Sequence, residues 1–196
     1  MSTLQSLQER LIPGKVYRRE DLAQWSSAVD RHLKELVQQG DLTKLSGGLY
    51  HHPKRTAFGS APPQAVELVT VFLRDHRFLL SSYNDYNSLG VGTTQLYNEI
   101  IVYNHKRHGR FLLAGRMFDF RVRPSFPSTA HKEFLLVDLV NNLDRLAEEK
   151  EAILQQVKSV AKQCQRGRLL DAAKQYGLVK TRKFFYSLFE KSTHAA

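Results

Sequence analysis

The chain has 196 residues, of which 42% are hydrophobic, enough to bury a full core as one large domain or two small ones, with two expected. Lys and Arg number 29 against 19 Asp and Glu, a net charge of +10 that favours a polyanionic partner. The single cysteine, Cys164, excludes an intramolecular disulfide framework, and no apolar leader or membrane-length apolar run is found, so a cytoplasmic protein in a reducing compartment is expected.

The first fifty residues carry the strongest signal. Leu4, Leu7 and Leu11 recur at helical spacing, and Pro13-Gly14 stop that helix before an extended stretch, Lys15 to Arg18. A second helix is predicted over Arg19–Trp25, with Leu22 and Trp25 inward. Ser26 then offers a hydroxyl to cap a third helix from about Ser27 to Gln39, ended by Gly40. In that helix Val29, Leu33, Leu36 and Val37 share one face, so Ser27, Asp30, Arg31, Lys34 and Gln38 point the other way.

Two strand-like runs follow, Asp41–Leu45 and Leu49–His52, joined by Ser46, Gly47 and Gly48, a good hairpin signal. Three helices and then a tight hairpin is the winged helix-turn-helix layout. In such a head Ser27, Asp30 and Arg31 approach base edges, while Lys34, Lys44, Lys54 and Arg55 contact phosphates. Ser26 caps the third helix and brings its positive end toward DNA. A solvated amphipathic face, or a winged helix used for protein contacts, is the competing reading.

Residues 56–63, with Gly59, Ser60, Pro62 and Pro63, break both periodicities and are expected to be a linker. The domain division is therefore 1–55, a linker at 56–63, and 64–196. The last part opens with a helix over Gln64–Arg74, with Val66, Val69, Phe72 and Leu73 apolar, and a strand over Phe78–Ser82. A short helix over Tyr83–Leu89, a Gly-punctuated loop to Gln95 and strands at Glu99–Tyr103, Phe111–Ala114 and Met117–Val122 make it α+β to about residue 128.

From about residue 129 helices take over, at Phe134–Leu143, Leu146–Gln163, Leu169–Tyr176 and Thr181–Phe189. The fold class is thus α+β: an N-terminal winged helix-turn-helix, then a mixed α/β domain ending in a helical C-terminal region. Positive charge is spread along the whole chain and is densest near this end, at Lys162, Arg166, Arg168, Lys174, Lys180, Arg182 and Lys183, with Asp171 among them. These cations form either a second phosphate-contacting surface or a solvated helical face.

Catalytic signatures are missing. Gly90 and Gly92 precede neither a dinucleotide loop nor a P-loop, and are read as turn glycines. His105 with His108, and His51 with His52, have no cysteines or carboxylates at ligand spacing, so they are read as solvated, with no metal and no cofactor expected. A nucleotidyltransferase needs a Gly-Ser followed by paired acids, and Gly59-Ser60 is followed only by the separated Glu67 and Asp75. No hydrolase elbow or zinc-protease motif occurs, and the expectation is a non-enzyme.

The chain resembles the AbiEi-like antitoxins of bacterial type IV toxin–antitoxin systems over most of its length. The resemblance lies in Gly14-Lys15-Val16-Tyr17 through Gly48-Leu49-Tyr50 and in Asn87-Ser88-Leu89-Gly90-Val91-Gly92-Thr93-Thr94-Gln95 leading into Ile101-Val102-Tyr103. It continues in Leu136-Val137-Asp138-Leu139-Val140-Asn141-Asn142-Leu143-Asp144 and Ala173-Lys174-Gln175-Tyr176-Gly177. It implies a DNA-binding head on a larger antitoxin domain, repression of the chain's own operon through promoter repeats, and a cognate nucleotidyltransferase-like toxin that is counteracted directly or functionally. Repeats suit a monomer or a weak dimer. The rival functions are a stand-alone winged-helix regulator with a ligand-sensing α+β domain, and an enzyme with unfamiliar motifs.

Overall fold

The computed structural model describes residues 4–190, which form a mixed α+β fold divided into two compact units. The first unit holds the residues up to His76 together with 110–118, and the second holds 77–109 and the residues from Asp119 onward.

The first unit begins with α1 (Leu4–Gln8), β1 (Val16–Arg18), α2 (Arg19–Ala23) and α3 (Val29–Gln39), then β2 (Thr43–Ser46) and β3 (Leu49–His51). β3 lies between β1 and β2, antiparallel to both, with Val16 opposite His51 on one side and Thr43 opposite His51 on the other. Leu7, Leu11, Tyr17, Leu22, Leu33, Leu36 and Leu42 fill the core between helices and sheet. Gly40 ends α3 at φ 79°, a left-handed position that glycine occupies without steric cost.

Three expectations change here. Ser26 caps nothing: the N-cap of α3 is Ala28, which has no side-chain cap, and the helix starts at Val29 rather than Ser27. Val37 is exposed and His32 takes its place in the core. Both flank the Val29–Leu33–Leu36 stripe at similar angles, and the Ser26 hydroxyl, 2.8 Å from His32 Nδ1, supplies the partner that lets the imidazole be buried. The stretch expected as a linker contains a small hairpin, β4 (Arg55–Thr56) paired with β5 (Gly59–Ser60). Two residues per strand are too few to leave a periodicity in the sequence.

α4 (Ala65–Leu73) buries Leu68, Val69, Phe72 and Leu73, while Val66 stays exposed. It is tied to β1, because the Arg18 guanidinium donates to the carbonyls of Val71 (2.7 Å) and Phe72 (2.6 Å). Those are orphan carbonyls of the last turn, so one side chain caps the helix and joins it to the head. The first unit runs through residues 56–63 as far as His76.

In the second unit β6 (Phe78–Ser81) pairs antiparallel with β7 (Ile100–Asn104); β8 (Gly109–Leu113) lies in the first unit from Arg110 on, and β9 (Arg116–Val122) passes from the first unit to the second at Asp119. The 3₁₀ helix Tyr83–Leu89 is opened by a capping box between Ser82 and Asp85. α5 (Lys132–Asn142), α6 (Lys150–Lys162), α7 (Arg166–Tyr176) and α8 (Val179–Glu190) follow. α6 begins later than expected because the Glu149 carboxylate caps it at the Ala152 N–H. Val157, Leu169, Phe185 and most of α5 pack with Tyr86, Ile101 and Tyr103 in one core.

Candidate nucleic-acid interface

The outward face of α3 is built by the helical repeat. Arg31, Lys34 and Gln38 follow one another at three- and four-residue spacing and are all exposed, as is Ser27 in the turn before the helix. Arg31 is loosely paired with Glu35, at 3.9 Å. Lys44 is exposed on β2, and Lys54 and Arg55 are exposed where β3 leads into β4.

Two residues depart from the expected roles. Ser26 is only 4% exposed, with its Oγ near His32 Nδ1 and accepting the Ala28 N–H, so it orders the turn before α3 from the inside and cannot reach a ligand. Asp30 is exposed but engaged: Arg19 Nε and Nη2 donate to its two carboxylate oxygens, each at 2.6 Å. The hydrogen bonds and charge of this fork hold the Asp30 carboxyl below its usual pKa and raise that of Arg19.

Arg19 is a surface cation that the sequence reading passed over. Its backbone N–H donates to Gly48 O (2.9 Å), tying the start of α2 to the β2–β3 turn. The signal available was the fork itself, an arginine at a helix start facing the first acid of the next helix.

The seven C-terminal cations do not form one surface. Arg166, Arg168 and Lys174 lie at different angles around α7, and each is exposed. Lys162 borders a groove between α6 and α8 floored by Leu154, Phe184 and Leu188, whereas Arg168 lines a different hollow beside His131 and Glu133. Lys180 is paired with Asp144 at 2.9 Å, Arg166 lies over the Phe189 ring, Arg182 is half-buried, and Lys183 is exposed.

The histidines divide: His105 and His108 are exposed, as the solvated reading has it, whereas His51 is buried and His52 half-buried. His51 is 2% exposed with no hydrogen-bond partner at Nε2, His52 Nδ1 lies 2.6 Å from Asp41 O, and His105 stacks on Phe126. Burial, with a smaller contribution from His52, lowers the pKa of His51, while Glu67 opposes the shift. Among the described residues no group of three or more His, Cys, Asp or Glu could hold a metal ion, and no helix is long and apolar enough to cross a membrane.

The second unit holds a buried polar network that has no signature in the linear pattern of residues. The Asp138 carboxylate, fully enclosed, accepts from Tyr103 OH (2.6 Å), Tyr86 OH (2.8 Å) and Asn142 Nδ2 (3.1 Å). Arg121 donates to Asp119 (2.7 Å), to Asn142 Oδ1 (2.7 Å) and to the Tyr83 hydroxyl (2.6 Å). Burial raises the pKa of Asp138 and the two phenols bonded to it pull it back. Each polar atom is answered by another, which is how a satisfied interior network specifies a fold rather than a reaction.

Nearby, Glu148 accepts from the Thr94 and Gln95 N–H groups (3.1 and 3.2 Å) and from Tyr97 OH (3.0 Å), clamping the loop after Gly92. Gly90 and Gly92 take φ of 67° and 83°, as expected of turn glycines.

No family model matches the chain, and no curated protein matches it in sequence. A crystal structure of the RV2827C protein from Mycobacterium tuberculosis is similar in fold, with a TM-score of 0.58 and 16% sequence identity, covering 96% of this chain and 75% of that one. At that identity the likeness concerns the mixed α+β fold alone.

Proposed function

We propose that the protein is a DNA-binding antitoxin that represses its own operon and counteracts a nucleotidyltransferase-like toxin, acting in the cytoplasm as a monomer or weak dimer on repeated promoter sites. The first unit is taken as a winged helix-turn-helix, with α3 as the reading helix and the β2–β3 hairpin as the wing. The observation that carries this reading is the exposed row Ser27, Arg31 and Lys34, with Lys44 on the hairpin that follows α3 and the β1-β3-β2 sheet behind it. Arg31 offers a planar fork for a guanine edge and Lys34 a point charge for phosphate.

The antitoxin half of the proposal rests on the family resemblance. The segments that carry it occupy demanding places in the fold: Asp138 and Asn142 lie in the buried network, Thr94 and Gln95 in the Glu148 clamp, and Ala173 in the core. The missing paired acids of a nucleotidyltransferase suit a chain whose partner performs that chemistry.

A gel-shift titration on the chain's own upstream promoter and on random duplex, at two salt concentrations, tests the repressor role. Preference for the promoter by about 1,000-fold or more supports it, and equal salt-sensitive binding to both overturns it. Co-expression with the nucleotidyltransferase-like protein encoded alongside tests the antitoxin role, with restored growth as the expected result.

A further inference from the structure

From Leu42 to Val66 the chain contains no Asp or Glu, while it contains Lys44, Lys54 and Arg55. The acids that bound this stretch are engaged, Asp41 by Gln8 Nε2 at 2.9 Å and Glu67 by Lys15 at 3.4 Å. The stretch builds two hairpins, β2–β3 and β4–β5, so both present surfaces free of carboxylates.

The second hairpin is small but ordered. Thr56 Oγ1 donates to Gly59 O (2.7 Å) and accepts the Phe58 N–H (3.3 Å), bracing the turn from inside. Gly59 sits at φ 107°, a conformation that side chains rarely adopt, and the Ala61 N–H closes the base on Lys54 O at 2.9 Å. At the tip Phe58 is 102% exposed, so its ring is held entirely out in water.

Turn chemistry at such a position asks for Gly, Asn or Asp, not for an aromatic ring. Its neighbours Thr56, Ala57, Gly59 and Ser60 are small or polar, which gives no contiguous apolar patch of the kind a protein partner covers. A lone exposed aromatic just beyond a pair of cations is the chemistry of a wedge against stacked bases, where the ring exchanges water for base faces and the cations hold neighbouring phosphates.

We propose that the β4–β5 hairpin is a second duplex-DNA contact, in which Phe58 inserts against a base-pair step while Lys54 and Arg55 grip the backbone beside it. The proposal rests on the DNA-binding reading above and extends the footprint beyond α3. The wedge partly unstacks the step, so binding bends the duplex.

The test uses the full chain and a duplex of its own upstream promoter carrying a fluorophore at each end, read for affinity and for end-to-end energy transfer. Phe58→Ala is expected to weaken binding about tenfold or more and to straighten the duplex, and Phe58→Trp to restore both. A side chain that touches nothing can be removed without unfolding the protein, which an unchanged thermal melt verifies. Wild type and Phe58→Ala binding and bending the promoter alike overturns the wedge while leaving the repressor reading intact. Wild type with no promoter preference overturns both. Unchanged DNA behaviour with lost toxin neutralisation makes the hairpin a protein contact and also overturns the proposal.

Discussion

Arg31 and Lys34 share one exposed stripe of α3, yet their chemistry predicts different losses. Replacing Arg31 with Ala removes a fork able to bond a base edge, with an expected cost of about 1–3 kcal/mol on the operator and a relaxed sequence preference. Lys34→Ala removes a phosphate contact, so all sequences weaken alike and the salt slope flattens. Parallel titrations on operator and random duplex separate the two, and equal losses on both for Arg31→Ala exclude base reading. His51 supplies a pH dependence. Burial holds its pKa below the usual 6.5, so an unfolded chain takes up a proton that the folded unit resists. Stability is therefore fully present above about pH 6.5 and is lost as the pH falls below it. Melts of the wild type between pH 7.5 and pH 5 should show that loss and His51→Gln should flatten it; identical slopes exclude His51 as its source. Ser26 was the least legible residue, because a serine before a helix reads as a cap whether its hydroxyl faces outward or, as here, toward a buried histidine.

At the scale of elements, the sequence exposes whatever repeats and hides whatever is local. α3 and α7 are visible because several apolar side chains return to one face, α5 because a continuous apolar run is buried on every side, and β6 and β7 because short apolar and β-branched runs mark a strand buried in a sheet. The β4–β5 hairpin has no room for a pattern, and the grouping of α4 with the first unit rests on contacts that no linear pattern shows, Arg18 meeting the carbonyls of Val71 and Phe72 and the Val16 N–H meeting Glu67 Oε1. In β9, Asp119 and Arg121 alternate with Phe118 and Phe120 and look like a solvent face, yet all four are buried; the partners that make this possible lie far away in sequence. The α7–α8 junction offers a local test. Gly177 has φ −76°, which any residue adopts, so conformation does not require glycine there. Space does, because a Cβ at that position stands 2.4 Å from Ala173 O and 3.0 Å from Arg182 Cγ. Gly177→Ala must displace the backbone between the helices, at an expected cost of about 1–3 kcal/mol. Chemical denaturation measures it, and an unchanged midpoint shows that the junction yields without loss.

For the whole molecule, a net charge of +10 spread along the chain makes weak attraction to any polyanion unavoidable, so nonspecific binding to nucleic acid is no evidence of function. What separates the units is arrangement. Each strand of a duplex presents a phosphate about every 3.4 Å of helix axis and rewards cations set side by side, as Arg31 and Lys34 are on the outward face of α3. The C-terminal cations are dispersed over different faces, and one of the seven, Lys180, is tied to Asp144. Such scattered charges suit separate contacts with an acidic protein surface better than a clamp on DNA. On the proposed reading, converting both Arg182 and Lys183 to Glu abolishes toxin neutralisation while leaving operator affinity within about threefold at physiological salt. The two readouts, growth rescue and gel shift, come from the same variant. A tenfold loss of operator affinity with rescue intact reverses the assignment and makes α8 part of the DNA surface. A loss of both together with a lowered melting temperature points to the half-buried Arg182 as a packing residue, and Lys183→Glu alone then isolates the charge.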